Sequence, residues 1–273
     1  MHARRDQSNF RYSYSTQPLR TTKREFNKID NIFKISSRDM KHQRDNSTVY
    51  NMDNMEFMRG VEDKYYDLAV VDPPYGINIG TEIDRTGFKE GTSKNSMTKF
   101  EKSMKDKSWD NAIPNEEYFK ELFRVSKNQI IWGGNYFLEH LPNTRCMITW
   151  DKMTYVPTMS QVELAWTSFK KHSLLKKINS NQLDRFHPTQ KPVALYDWIY
   201  SVFAEEGMKV LDTHLGSGSN RISAFKRGNI IFDACELDVD YFNDGNDRYD
   251  EFLMKYQPAE LNPITKQGQH KLF

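Results

Sequence analysis

The stretch VVDPPYG at residues 70–76 combines residue types that suit the binding of an amino group. An apolar run that is predicted to form a buried strand ends at Asp72, and two prolines and a tyrosine follow it. Prolines fix φ and lack a backbone N–H, so the carbonyl groups of Asp72 and Pro73 are left to accept hydrogen bonds from another molecule. A carboxylate and a carbonyl together hold both hydrogens of one amine, whose lone pair then points at an electrophile. A rigid turn with a surface tyrosine is the simpler interpretation.

A second candidate site is the glycine-rich turn in the run VLDTHLGSGSN at residues 210–220. A strand is predicted to end at Asp212 and a helix to begin near Ser219. Gly216 and Gly218 then stand where the backbone turns sharply, which allows positive φ and the close approach of a ligand to helix N-terminal amides. A tight turn without a ligand is the alternative.

The residues around this turn favour one kind of ligand over others. Glu236 ends the next predicted strand, where an acid accepts hydrogen bonds from ribose hydroxyls. Arg221 stands where a dinucleotide fingerprint has its third glycine, and the turn lacks the GK[ST] of a phosphate loop, which disfavours NAD and ATP. The carboxylate of Asp212 favours a positive centre or an amino group. S-adenosylmethionine has a sulfonium, an ammonium and a ribose, and is the cofactor we expect.

The two sites imply a set of elements that must position them. Apolar and β-branched runs predict strands at STVYN, YYDLAVVD, NQIIW, CMITWDK and VELAWTSF. Helical spacing predicts helices at MDNMEFMRGV, NEEYFKELFRVSK, KPVALYDWIYSVFAEEG and residues 239–256, the third of them ended by Gly207. Residues 208–238 read as strand, turn, helix and strand, a βαβ unit. The predicted fold class is therefore α/β, with a mostly parallel twisted sheet and helices on both faces.

The charge of the chain is unevenly distributed. The 273 residues carry a formal net charge of +2, but residues 1–45 hold eleven Lys or Arg against five acids, a net charge of +6. A basic arm on a near-neutral body suits a polyanionic partner, and a solvated tail is the alternative. We predict a basic N-terminal arm at 1–45, one catalytic domain at 46–257 and a C-terminal tail at 258–273.

Composition disfavours several other classes of protein. No segment approaches the roughly 18 consecutive apolar residues of a membrane span, and the charged N-terminus is not followed by the apolar run of a secretory signal. The two cysteines lie in apolar contexts that suit reduced thiols, and the seven histidines have no metal-ligand spacing. We expect a cytoplasmic protein with no membrane segment and no metal.

Taken together, DPPY, LDTHLGSGS and CELD resemble the amino-group DNA methyltransferases, which methylate an exocyclic base nitrogen with S-adenosylmethionine. The resemblance covers roughly residues 47–245. The tetrapeptide precedes the glycine turn, an order similar to the β group of that family, so the resemblance implies a Rossmann-like methyltransferase fold with a circularly permuted motif order. HPTQKP, at residues 187–192, is similar to the segment that closes over the methionine part of the cofactor, and WGGNYF resembles phage-type and bacterial members.

The resemblance implies roles for residues at matching positions. The catalytic set is Asp72, Pro73, Pro74 and Tyr75: the first two would hold the target amine, and Tyr75 would stack on the flipped base. Glu236 would be the acid that binds the ribose of the cofactor, and Asp53 the acid that faces its adenine ring. The implied cofactor-binding residues are Asp53, Asp212, Thr213, Leu215, Gly216, Ser217, Gly218, Ser219, Glu236, His187, Thr189 and Lys191. For Lys191, a surface position beside a helix start is the alternative.

An aspartate at the first tetrapeptide position resembles the adenine branch. The implied activity is therefore site-specific methylation of adenine N6 in double-stranded DNA, either in a restriction-modification system or as an orphan or phage enzyme. The alternatives are a cytosine N4 enzyme, an RNA or protein amide methyltransferase on the same fold, and a non-catalytic nucleic-acid-binding protein. No separate recognition domain is evident, so residues 77–115 and 152–186 are predicted to contact DNA. A homodimer is expected from the same resemblance.

Overall fold

The computed structural model describes residues 41–77, 110–154, 160–180, 187 and 189–256. In this part of the chain the strands are β1 (Lys41–Arg44), β2 (Ser47–Tyr50), β3 (Tyr66–Val71), β4 (Ser126–Trp132), β5 (Met147–Asp151), β6 (Val162–Thr167), β7 (Leu174–Lys177), β8 (Lys209–Asp212) and β9 (Ile231–Cys235). The helices are α1 (Asn54–Arg59), α2 (Glu116–Val125), α3 (Val193–Phe203), α4 (Ser219–Arg227) and α5 (Val239–Lys255), and a 3₁₀ turn spans Gly134–Tyr136. No helix of these described ranges is long and apolar enough to cross a membrane.

The strands form one mixed sheet in the order β1-β2-β9-β8-β3-β4-β6-β5-β7. From β2 to β4 all neighbours are parallel. At one edge β1 is antiparallel to β2, and at the other β6 is antiparallel to both β4 and β5, while β7 runs parallel to β5. The predicted α/β class with a mostly parallel sheet is confirmed.

Helices cover both faces of this sheet because alternate residues of each strand point in opposite directions. Leu68 and Val70 of β3 pack in one buried cluster with Leu195 of α3. The intervening Ala69 belongs to a second cluster, with Phe119 of α2 and residues of α1. Strands buried on both faces read as continuous apolar runs, which is how β3 was recognised.

The central strands place both candidate sites at one edge of the sheet. β8 lies between β9 and β3, so the chain continues to one side from β8 to β9 and to the other side from β3 to β4. In a doubly wound sheet, ligands bind outside the carboxyl ends of the strands where this direction reverses. β8 ends with Asp212, and Asp72 directly follows β3. The circularly permuted motif order stays a prediction.

The N-terminal boundary of the domain differs from the expectation. Residues 41–44 were assigned to the basic arm, but they form β1 and pair with β2 across a turn in which Asp45 has a φ of 50°. The hairpin forms because Ser47 to Tyr50 are buried and give β1 a strand to pair with. Residues 1–40, most of the predicted arm, and residues 258–273, the predicted tail, lie outside the described residues.

The end of α3 is a second correction. The helix was expected to continue to Gly207, but it ends at Phe203, and Ala204 has an extended backbone. Phe203 and Ala204 are buried in the core cluster of that face, so the chain turns there toward β8. Gly207, with a φ of 83°, lies in the following turn, where its N–H donates to the carbonyl of Asn229.

Candidate active site

The DPPY turn is held in shape by an acid that lies far from it in the sequence. The backbone N–H groups of Tyr75 and Gly76 both donate to Oδ1 of Asp110, at 2.8 and 2.9 Å. Asp110 is buried, so these bonds are protected from water. They pin the segment after the two prolines and fix the direction in which Asp72 leaves the sheet.

The ring of Tyr75 is seated on the WGGNYF turn. Gly133 has a φ of 70°, and a Cβ built there would stand 2.2 Å from Cε1 of Tyr75. Only glycine allows both this backbone conformation and this approach. The ring of Tyr136, three residues on, stacks on Tyr75 at 5.0 Å between centroids and 15° between planes. This turn therefore builds an aromatic wall beside the Asp72 carboxyl group.

Both oxygens of Asp72 have a partner in the protein. The hydroxyl of Tyr75 donates to Oδ1 at 2.6 Å, and Nζ of Lys191 donates to Oδ2 at 2.5 Å. Lys191 also donates to the Tyr75 hydroxyl at 3.2 Å. Burial raises the pKa of Asp72, and the neighbouring Lys191 acts in the opposite direction.

A row of alternating charges extends from Asp72 through Lys191 and Glu163 to Lys152. Nζ of Lys191 lies 3.1 Å from Oε2 of Glu163, whose Oε1 lies 2.8 Å from Nζ of Lys152. The side chain of Lys191 is only 3% exposed. Although burial opposes its charge, Asp72 and Glu163 hold the pKa of Lys191 above its ordinary value. Likewise, against the effect of burial, the two lysines hold the pKa of Glu163 below its usual range. We call these four residues the charge row.

Asp212 has a different environment at the end of the adjacent strand. Its Oδ1 accepts from the backbone N–H of His214 at 3.0 Å, and its Oδ2 accepts from the amide of Asn220 at 2.9 Å. Both donors are neutral. The Asn220 amide also donates to the carbonyl of Val70 in β3, which ties the ends of the two strands together. Burial raises the pKa of Asp212 to about 7, with a contribution from the charge of Asp72.

The glycine turn after β8 has the sharp geometry that its sequence predicted. Gly216 and Gly218 have φ values of 52° and 74°. Glu236 accepts at Oε2 from the N–H of Gly216, at 2.8 Å, and at Oε1 from the N–H of Asp238, at 2.9 Å. In α5, a Cβ at Gly245 would stand 3.0 Å from the carbonyl oxygen of Gly216, so the absence of a side chain there lets the helix pack closely on the turn.

The remaining residues of the turn are buried and bonded to their neighbours. The hydroxyl of Thr213 lies 2.7 Å from that of Tyr118, and Leu215 is 5% exposed. The hydroxyls of Ser217 and Ser219 lie 3.2 Å apart. These side chains make the floor of the turn rigid.

The HPTQKP segment lies beside both the glycine turn and the DPPY turn. Its first residue, His187, packs its ring on Tyr241 of α5 and would lie 3.4 Å from a Cβ at Gly216. Thr189 donates its backbone N–H to Nδ1 of His187 at 3.3 Å. Lys191 directs its ammonium to Asp72 in the DPPY turn, and its predicted contact with the cofactor stays a prediction.

Asp53 follows β2 after two intervening residues, and its side chain caps α1. Oδ1 of Asp53 accepts from the N–H of Glu56 at 2.9 Å. Its predicted contact with an adenine ring stays a prediction. Much of the predicted DNA-contacting region, at residues 78–109, 155–159 and 181–186, lies outside the described residues.

Several residues of the site were missed in the sequence. They are Asp110, Glu163, Asn220 and Gly245, of which only Asn220 belongs to a candidate motif, the run VLDTHLGSGSN. Asn220 had the strongest local signal, because it follows the glycine turn at the start of α4. Within the described ranges, no group of three or more His, Cys, Asp or Glu is arranged to hold a metal ion.

Comparisons with known proteins found similar solved structures only. No protein family and no curated protein matches this chain. A structure of M1.HpyAVI in complex with SAM has a TM-score of 0.46 and 18% identity, and the alignment covers 74% of this chain and 98% of that one. The cytosine-N4-specific PvuII DNA methyltransferase has a TM-score of 0.49 and 11% identity, with 75% and 90% covered. At these levels of similarity, the functional assignment rests on the geometry of the site.

Proposed function

We propose that this protein is an S-adenosylmethionine-dependent DNA methyltransferase that acts on the N6 amine of adenine. The proposal rests on one observation: two acids with different surroundings lie at the carboxyl ends of adjacent parallel strands. Asp72 stands in a proline-rigid turn beside an aromatic wall, and Asp212 stands beside a glycine turn with neutral donors only. The first arrangement suits an amine, and the second suits a cationic cofactor.

The residues around the glycine turn fit the cofactor. A buried acid whose pKa is raised to about 7 gains a favourable partner when a cationic group lies near it, and Asp212 is such an acid. A carboxylate has about four lone-pair sites, so Glu236 can accept ribose hydroxyls beside its two backbone N–H groups. When bound, S-adenosylmethionine supplies an electrophilic methyl carbon on a sulfonium.

The DPPY turn would bind the target amine through both of its hydrogens. The Asp72 carboxylate accepts one and the Pro73 carbonyl accepts the other, which directs the lone pair of the amine nitrogen. The hydroxyl of Tyr75 now bonds to Oδ1 of Asp72, so we expect the amine to displace it. The amine nitrogen would gain the methyl group as the bond from that carbon to the sulfur breaks, and it would lose one proton, which Asp72 is placed to accept.

The aromatic wall and the exposed lysines support a nucleic acid as the substrate. A base that is methylated on its amine must leave the duplex, and the Tyr75 ring offers a face on which it can stack. Exposed lysines in and near β7 can contact phosphates, which contributes affinity without sequence choice: Lys170, Lys171 and Lys177. The aspartate at the first position of the tetrapeptide is our reason to propose adenine.

The test is a transfer assay with radiolabelled cofactor offered to DNA, RNA and protein. We expect label in DNA alone, and sequencing of modified bases should find N6-methyladenine. Asp72→Ala should abolish transfer while calorimetry still detects cofactor binding. Asp63→Ala, which removes an exposed carboxylate that pairs with Arg124, is the matched control and should retain activity.

Four results would overturn parts of this proposal. Full activity of Asp72→Ala would exclude the amine-binding role of the turn. Label in RNA or protein alone would change the substrate class, and methylation at cytosine N4 would change the base. Binding of DNA by a protein that does not bind the cofactor would indicate a non-catalytic scaffold.

A further inference from the structure

We propose that Lys191 and Glu163 are positioning residues that together control the orientation and ionisation of Asp72. The inference rests on the proposed function, because it assigns to Asp72 the binding of the target amine. It concerns two side chains whose contact no motif predicts, Lys191 before α3 and Glu163 in β6. Neither is expected to touch the substrate, so both act through Asp72.

The orientation argument starts from the two oxygens of Asp72. Lys191 bonds to Oδ2 at 2.5 Å and thereby fixes the plane of the carboxylate. Oδ1 is then the oxygen that faces Tyr75, whose hydroxyl bonds to it at 2.6 Å. An incoming amine can exchange with this neutral hydroxyl, whereas exchange with the ammonium would separate a buried ion pair. Lys191 therefore selects Oδ1 as the oxygen that binds the amine.

Lys191 can hold this position because its surroundings are closed. Its ammonium lies 5.3 Å from the centroid of the Trp132 ring and 5.7 Å from that of Tyr75. Aromatic faces favour a cation, and the scarcity of water strengthens its attraction to carboxylates. Lys191 is 119 residues from Asp72 in sequence, so the contact exists only in the folded protein.

Glu163 opposes the effect of Lys191 on Asp72. It shares the ammonium of Lys191 and is itself paired with Lys152, so the charge row alternates in sign. Burial disfavours the charged form of Asp72, Lys191 favours it, and the negative charge of Glu163 disfavours it. The titratable groups that act on Asp72, or on which Asp72 acts, from the surrounding elements are Tyr75, Tyr118, Glu163, Lys191, Tyr196 and Asp212.

The two variants Lys191→Gln and Glu163→Gln should therefore move the pH profile in opposite directions. Without the cation of Lys191, Asp72 ionises at higher pH, so the acid limb of the kcat/KM profile moves to higher pH. The fold-loss of kcat/KM at pH 6 should then be at least about ten times the fold-loss at pH 8.5. Without the negative charge of Glu163, the acid limb moves to lower pH. Glu121→Gln is the control: it removes a partly buried carboxylate paired with Arg124 in α2, and its profile should match the unmodified protein.

A direct measurement separates this inference from the proposed function. Carboxyl carbon NMR, with the Asp72 signal identified by its loss in Asp72→Asn, reports the titration of Asp72 whether or not the protein transfers methyl groups. If Lys191→Gln does not fold, Glu163→Gln alone still tests the expected downward shift. The inference fails if the Asp72 titration is the same in Glu163→Gln as in the control Glu121→Gln. It also fails if Lys191→Gln and Glu163→Gln each lose activity by a factor that does not change with pH.

Absence of methyl transfer by the unmodified protein would instead refute the proposed function. In that case, a shifted Asp72 titration in the two variants would still support the control of Asp72 by Lys191 and Glu163. Equal titrations together with normal methyl transfer would leave the proposed function intact and refute the positioning pair.

Discussion

Asp72 and Asp212 end neighbouring parallel strands, yet the protein surrounds them differently. Asp72 has the ammonium of Lys191 at 2.5 Å, and that cation is shared with Glu163. Asp212 is 2% exposed and bonds to an amide and a backbone N–H. Within the described part of the chain, one acid thus has a cation as a partner, and the other has neutral donors alone.

This difference in partners distinguishes the charges that the protein itself supplies from those that a bound ligand is expected to supply. A buried charge without compensation is costly, and a group in that situation changes its pKa instead. The pKa of Asp212, raised to about 7, shows this cost. In our proposal the cofactor supplies the cation that Asp212 lacks, while the target amine is neutral and needs an acceptor whose charge is already balanced.

Asp72→Asn should have the largest effect on catalysis. It keeps the shape of the side chain but replaces an anionic acceptor with a neutral amide, so kcat should fall at least about a hundredfold. The cofactor Kd should change little, because Asp212 is intact. Single-turnover methyl transfer and calorimetry on the same preparation measure the two quantities. A loss of cofactor affinity as large as the loss of rate would break the distinction between the two acids.

Asp212→Asn should show the converse behaviour at pH 8. We expect about tenfold weaker cofactor binding, because the ionised partner of the cation is gone. The amide oxygen can replace only one of the two acceptor oxygens, the one bonded to His214 or the one bonded to Asn220, and circular dichroism checks that the fold persists without the other bond. Unchanged affinity would mean that Asp212 serves only to hold the ends of β3 and β8 together.

The pH dependence of cofactor binding sharpens the same point. Because the pKa of Asp212 is raised to about 7, its carboxyl group is mostly protonated at pH 6 and mostly ionised at pH 7.5. A cation binds the ionised form better, so affinity should rise with pH, by about fivefold over this range. Titration calorimetry at the two pH values measures the change, and Asp212→Asn should remove it. A flat profile in the unmodified protein would contradict this account.

Tyr75→Phe should have the smallest effect. It removes the hydroxyl on Oδ1 of Asp72 but keeps the ring against Gly133 and Tyr136. If the hydroxyl only occupies the place of the amine, kcat should change by less than about fivefold. The same transfer assay gives the answer, with Tyr75→Ala as the variant that also removes the ring. A loss equal to that of Asp72→Asn would show that the hydroxyl takes part in the reaction.

The two acids could be predicted from sequence because each stands at the end of an apolar run, Asp72 beside prolines that fix φ and Asp212 beside glycines that allow a sharp turn. Parallel strands align their carboxyl ends, so the fold brings such positions together without further information. Glu163 could not be predicted in this way. Its distance to Lys191 depends on the position of β6 beside β4 and on the path of the HPTQKP segment, both set by contacts between remote residues.

The errors have a similar origin. Gly207 is a plausible helix end by local sequence, but burial of Phe203 and Ala204 turned the chain earlier. β1 was missed because KHQR has no apolar pattern, and its pairing with β2 comes from an available edge rather than from its own composition. Asp110 lies within residues 77–115, which were predicted to contact DNA, and its role is visible only from the two backbone N–H groups that donate to it.

The strand order has a consequence for how the protein is made. β2 and β3 leave the ribosome early, but the sheet keeps two places between them for β8 and β9, which end at Cys235. The edges of β2 and β3 that later pair with β9 and β8 therefore stay unpaired through most of synthesis. During this time, non-native pairing and aggregation compete with folding. The C-terminal βαβ unit, β8-α4-β9, fills these two places, so the sheet can be completed only after β9 has been translated.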